Sequence, residues 1–147
     1  MTPLPTDQPR TVILGVAASD AHAVANQLIC RLLRAHGFHV VNLGVCTPLH
    51  EFADALDAEP AAEAILIGSV NGHAYADLRD LPELRRQGRL DRPVVLGGNL
   101  SVGAHKRSAD LDRLTALGVD HIVTGLSELL PLLDTLHAAR QPAPQHG

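Results

Sequence analysis

Five short apolar runs, separated by stretches of helical periodicity, constrain this chain more than any other feature of it. They are "TVILGVA" (11–17), "HVVNLGV" (39–45), "AILIGSV" (64–70), "PVVLGG" (93–98) and "HIVTG" (121–125). Each is apolar on both faces, as a strand must be when helices cover it above and below, and that is the condition of a parallel sheet. Between the runs lie helical patterns. Leu28, Ile29, Leu32 and Leu33 recur at helical spacing, and Gly37 stands where a C-terminal cap belongs. The second helix opens on "TPLHEF", with Thr47 able to cap, Pro48 suited to the first turn and Glu51 suited to the positive end. A third is expected over Tyr75–Gln87, where Pro82 can divide it. A fourth runs from Lys106 to Leu117 and stops at Gly118. A last one follows Ser127, with Pro131 in its first turn. Strand and helix in strict alternation predict an α/β fold: a doubly wound five-stranded parallel sheet, flavodoxin- or Rossmann-like, of order 2-1-3-4-5.

Ligands of such sheets bind beyond the carboxyl ends of the strands, near the point where the strand order reverses. The loops there begin at Ala17, Val45, Gly68, Gly97 and Thr124. The first holds Ser19, Asp20 and His22. A histidine in that place can ligate a metal through one ring nitrogen while the aspartate accepts the proton on the other, fixing the tautomer. The same four residues, "SDAH", also make a good helix start, with Ser19 or Asp20 as the cap and His22 exposed. The third and fourth loops read "GSVNGHAYAD" and "GGNLSVGAHK", and their glycines permit either a close approach by something bulky or a tight turn. A zinc site from Asp20, His22, His73 and His105 is conceivable, but no spacing fixes a tetrahedron.

The composition narrows the field. At 147 residues one domain is expected, over 11–140, with flexible tails at 1–10 and 141–147. The formal charge of −4, without a basic patch, argues against a nucleic-acid partner, and one Tyr, two Phe and no Trp leave no stacking platform for bases. No segment is long and apolar enough for a membrane span or a signal peptide. Cys30 and Cys46 form no ladder and read as reduced thiols of a cytoplasmic protein, with Cys46 expected to be a buried small hydrophobe. The first loop lacks the phosphate loop of a flavodoxin and the G-x-G-x-x-G of a dinucleotide site. Gly68–Ser69 and Thr124–Gly125 stand where a phosphate-accepting receiver needs an aspartate and a lysine.

Taken together, "VILGVAASDAHAVANQL", "GFHVVNLGV", "AILIGSVNG" and "VVLGGNLSVG" resemble the cobalamin-binding small (sigma) subunit of glutamate mutase, also called methylaspartate mutase, over about Thr11 to Leu133. That family carries Asp-x-His-x-x-Gly, then Ser-x-Leu, then Gly-Gly, on successive strand ends. The resemblance implies adenosylcobalamin as cofactor, bound with its own base displaced and with His22 as the lower ligand of cobalt. Asp20 would stand behind His22, and the freed nucleotide tail would lie beside the sheet. Ser19, Ala21, Val24, Ala25, Gly68, Ser69, Val70, Gly72, Gly97, Gly98, Asn99 and Gly125 would complete the binding residues. It further implies an isomerase subunit, inactive alone, whose larger barrel-type partner holds a small acidic substrate, glutamate or 3-methylaspartate. Radical chemistry would belong to the cofactor, and binding and orientation to this chain.

This sequence departs from the pattern twice. The motif glycine is Ala25, whose methyl would crowd a tail packed against the first helix. Ser-x-Leu aligns as Gly68-Ser69-Val70, so the serine is displaced by one. The other readings are a corrinoid carrier or sensor, and a scaffold of this fold that has lost its ligand. Methyl carriers of the superfamily generally have a helical domain before the cobalamin domain; only ten residues precede the first strand here, which favours the mutase subunit.

Overall fold

The computed structural model describes residues 10–18, 23–69, 74–97, 104–123 and 125–140. Five strands, β1 (Arg10–Val16), β2 (Phe38–Asn42), β3 (Ala62–Gly68), β4 (Val94–Gly97) and β5 (His121–Val123), form one sheet of order β2-β1-β3-β4-β5. Every pairing is parallel. Helices α1 (Ala23–Ala35), α2 (Leu49–Ala58), α3 (Ala74–Asp77), α4 (Leu81–Arg86), α5 (Ala104–Leu117) and α6 (Leu126–Arg140) fill the crossovers and the C-terminal end. The expected architecture and strand order are those observed.

Side-chain alternation along each strand divides the core in two. On one face Ile13, Ile65, Ile67, Val94 and Leu96 pack with Phe52 and Leu56 of α2 and with Leu81 and Leu114. On the other, Val12, Leu14, Val40, Leu66 and Val95 pack with Cys30 and Leu33 of α1 and with Leu129 and Leu133 of α6. Gly15 faces α2, where a Cβ would sit 2.7 Å from Phe52 Cζ and 2.9 Å from Cε1. Phe52 is fully buried and cannot withdraw. Gly15→Ala is therefore expected to cost about 1–3 kcal/mol by overpacking. Adding Phe52→Leu should recover part of that loss, a coupling that denaturant melts of the two singles and the double would read.

The amino edge of the sheet is clasped by arginines. Arg10 places Nε 3.3 Å from both Glu63 carboxylate oxygens and donates to Asp134 at 2.9 Å and to the Leu133 carbonyl at 2.8 Å, so β1, β3 and α6 are tied at one point. Arg85 donates to the carbonyls of Leu90, Gly118 and Arg92, and to Asp120, and so gathers α4 and the loops that lead into β4 and β5. The charge-rich ends are thus structural, and the opposite edge is left for a ligand.

Several boundaries differ from the sequence expectation. β2 ends at Asn42 rather than Val45, because Gly44 turns the chain at φ +86°. β3 starts two residues early, at Ala62, and ends at Gly68, β4 spans only Val94–Gly97, and β5 stops at Val123. The third helix is two, α3 and α4, with Pro82 near the start of the second. Pro131 lies inside α6, beyond the first turn. Thr47 does not cap α2: its hydroxyl is spent on the Gly44 carbonyl at 3.2 Å, and Pro48 occupies the cap position without a side-chain bond. Cys46 is exposed, at φ +53°, not buried.

Candidate functional site at the carboxyl edge

The strand order reverses between β1 and β3, so the crevice expected to take a ligand lies over their carboxyl ends. There Val16 pairs with Gly68, and Gly68 pairs in turn with Gly97. Gly68 continues the face of Ala64 and Leu66, and Gly97 that of Val95, which is the face covered by α1 and α6. Two neighbouring strands thus end, on one face and in register, without side chains. The floor so formed is bounded by Val16 and Val123. A Cβ at Gly68 would come no closer than 3.9 Å to Gly15 O and Val16 Cγ2. At Gly97 it would meet Val123 Cγ2 at 3.3 Å, and at Gly125, before α6, nothing among the described residues within 4 Å.

Ser69 follows Gly68 and is still held in the ladder, its N–H donating to Gly97 O at 2.9 Å. Alternation turns its side chain to the opposite face, that of Ile65 and Ile67. Ser69 Oγ is fully buried and has no hydrogen-bond partner among the described residues. An unpaired buried hydroxyl costs about 1–3 kcal/mol, so it is an acceptor and donor kept at the strand terminus without an internal use. The displaced serine therefore does not stand in for a serine at Gly68, because one residue along a strand is one change of face.

At the start of the first helix Ala25 is not the residue turned inward. Ala25 is exposed and its neighbour Val24 is 75 % exposed, so the Ala25 methyl does not face the sheet. The inward position is Asn26, only 3 % exposed. Asn26 Nδ2 donates to Asn42 Oδ1 at 3.0 Å, and Asn42 Nδ2 donates back to Asn26 Oδ1 at 2.8 Å. Asn42 Oδ1 also accepts the Gly44 N–H at 3.0 Å. Hydrophobic periodicity passes over these asparagines; the signal they gave was an amide in an otherwise helix-forming run and another closing "HVVN". Among the described residues, the groups whose protonation the fold visibly biases lie away from this edge. The Glu83 carboxyl is held below its ordinary range by hydrogen bonds from Arg86 and Gln87, and the Arg89 guanidinium above its own by Asp54 and Asp57.

Of the residues singled out from the sequence, the structure gathers Gly68, Ser69 and Gly97 at one edge and puts Val24 and Ala25 on the outer side of α1. Gly125 lies just before α6. Ser19, Asp20, Ala21, His22, Val70, Gly72, Gly98 and Asn99 lie outside the described residues, as do His73 and the His105 side chain. The described stems of the first loop, Ala18 and Ala23, end on either side of Ser19–His22.

Comparison with known proteins agrees with this geometry. The family model of the B12 binding domain matches residues 10–130. The chain is 40 % identical over 129 residues to glutamate mutase sigma subunit 2 of Haloarcula marismortui, covering 88 % of this chain and 86 % of that one. It is 34 % identical over 128 residues to the glutamate mutase sigma subunit of Treponema denticola, covering 86 % and 91 %. Among solved structures, a cobalamin-binding protein from Desulfitobacterium hafniense superposes with a TM-score of 0.71 at 21 % identity, over 88 % of this chain and 60 % of that one, a likeness of fold. A glycine floor at the switch point, a family model spanning the whole sheet and relatives matched over nearly their full length converge on one assignment: the chain belongs to the B12-binding domain family and, within it, to the glutamate mutase sigma subunits.

Proposed function

We propose that this chain is the cobalamin-binding subunit of an adenosylcobalamin-dependent carbon-skeleton mutase that interconverts glutamate and 3-methylaspartate. The observation that carries the reading is the side-chain-free floor made by Gly68 and Gly97 at the switch point. The residues present fit a corrinoid. A flat aromatic base with a sugar-phosphate tail needs a channel without side chains beside the sheet, and the floor between α1 and α6 supplies one. The orphaned Ser69 hydroxyl offers an unused hydrogen bond at the same edge. When bound, adenosylcobalamin supplies a cobalt–carbon bond whose homolysis starts the radical chemistry.

The residues of this chain bind and orient. His22 would hold the cobalt, and Asp20 would accept the proton on its other ring nitrogen, which would fix the tautomer and raise ligand basicity. Gly68 and Gly97 admit the tail, with Gly98, Asn99, Val70, Gly72 and Gly125 around it. Ser19 and Ala21 of the first loop, with Val24 and Ala25 at the start of α1, would complete the contacts to the cofactor. A larger barrel-type subunit closes the upper face and holds the small acidic substrate, so the chain alone turns nothing over. The exposed Val24 and Leu28 belong to the helix that begins at this edge. Two free thiols, one exposed, fit a reducing cytoplasm. No helix among the described residues is long and apolar enough to cross a membrane.

The test is reconstitution. The purified chain, a larger glutamate mutase subunit and adenosylcobalamin are combined, and conversion of glutamate to 3-methylaspartate is followed by proton NMR. Turnover is expected only with all three present. A chain that loads cobalamin yet neither joins the larger subunit nor supports turnover would contradict the mutase reading and favour a corrinoid carrier.

A further inference from the structure

The buried amide pair does more than fill space. Following the hydrogen bonds from Asn26, the reciprocal bonds reach Asn42, whose Oδ1 also accepts the Gly44 N–H at 3.0 Å. Gly44 O in turn accepts the Val16 N–H at 2.8 Å, and the Thr47 N–H donates to Val16 O at 2.8 Å. Val16 is the last residue of β1, and Asn26 lies in the first turn of α1. Between them in the chain runs 17–25, which carries Asp20 and His22. Both stems of that segment are therefore fastened to one short stretch, Asn42–Gly44, and the network closes into a ring around it. The arrangement is specific to these side chains. Asn is a poor helix former, and an unpaired amide at 3 % exposure is costly, so neither propensity nor burial explains Asn26. A shape-matched apolar pair would hold α1 against β2 as well. What an apolar pair would not do is accept the Gly44 N–H and so fix the separation of the stems.

We infer that Asn26 and Asn42 are positioning residues for the cobalt ligand: they set where the two ends of the His22 segment stand relative to the glycine floor. The inference rests on the histidine ligation proposed above. A ligand held in place pays less ordering entropy on binding, and a partner shell of this kind is worth roughly 10–100-fold in metal affinity. Asn26→Ala, Asn42→Ala and Asn26→Asp are to be compared with the full-length protein and with His22→Ala. The readouts are the dissociation constant for cobalamin, from the visible spectrum, and the electron paramagnetic resonance of bound cob(II)alamin in protein labelled with ¹⁵N-histidine. There a histidine ligand splits each cobalt line into a doublet, and any unlabelled nitrogen into a triplet.

The alanine variants are expected to bind about tenfold more weakly or worse and, at saturation, to show a smaller doublet fraction than the parent. Asn26→Asp still accepts from Asn42 Nδ2 but sets a carboxylate oxygen against Asn42 Oδ1, so it should recover only part of either. If either alanine variant does not fold, the double variant Asn26→Leu/Asn42→Leu decides, since it strands no side-chain amide and frees only the half-buried Gly44 N–H, and should fold; it too should lose the doublet fraction. Folded variants with the parent's affinity and full doublet would overturn the inference and leave the histidine reading standing. A parent protein that binds cobalamin without any doublet would sink the histidine reading, and this inference with it.

Discussion

His22→Ala is expected to leave the fold intact and to weaken cobalamin binding about a hundredfold, roughly 2.7 kcal/mol. Among the described residues both core faces are already closed: the sheet, the layer of α2 to α5 and the layer of α1 and α6 bury their apolar side chains among themselves. A thermal melt should therefore change little. What the variant loses is the exchange of a tethered base for a protein nitrogen. On the proposed reading, without the imidazole no protein nitrogen would offset displacement of the cofactor's own base, and the tail would lose the incentive to enter the floor between α1 and α6. Titration of parent and variant with hydroxocobalamin, followed in the visible, checks this. Asp20→Asn should fall between them, because it keeps a hydrogen-bond acceptor for the imidazole but not the charge that raises its basicity.

The second large effect is steric. Gly97→Leu is expected to abolish tail binding, again by about a hundredfold or more, while His22 is untouched. A Cβ at Gly97 already stands 3.3 Å from Val123 Cγ2, so the remaining carbons have only the floor to occupy. Overpacking against Val123 should cost about 1–3 kcal/mol of stability, so affinity must be measured well below the melting midpoint. Gly68→Ser is the matching control. Its Cβ would come no nearer than 3.9 Å to Gly15 O and Val16 Cγ2, so it should fold normally and bind as well as the parent or better, through the added hydroxyl on the floor side. Isothermal titration of the two variants would separate these outcomes. Equal affinity of Gly97→Leu and the parent would place the tail elsewhere.

The architecture was legible in the sequence because parallel strands buried on both faces read as continuous apolar runs, and all five runs became strands. The ends of those runs were less legible. "HVVNLGV" continues apolar past the strand, but Gly44 at φ +86° ends β2 at Asn42, and hydropathy carries no record of a backbone angle. Thr47 reads as a cap by residue type, yet its hydroxyl is taken by carbonyls behind it. The glycines of the site were visible as glycines. That Gly68 and Gly97 share a face depended on their register across β3 and β4, and the same register put Ser69 on the other side. The Asn26–Asn42 pair joins residues sixteen apart and follows no periodicity, so only the folded chain brings it out. Arg10 and Arg85, without a role in the sequence reading, proved to clasp the amino edge.

The central claim is that a histidine of this chain replaces the cofactor's own base beneath cobalt. The most direct measurement is the electron paramagnetic resonance spectrum of cob(II)alamin bound to the ¹⁵N-histidine-labelled protein. The account predicts doublet splitting of the cobalt lines, lost in labelled His22→Ala. Triplet splitting in the labelled parent, the mark of a cofactor still carrying its own base, would contradict it.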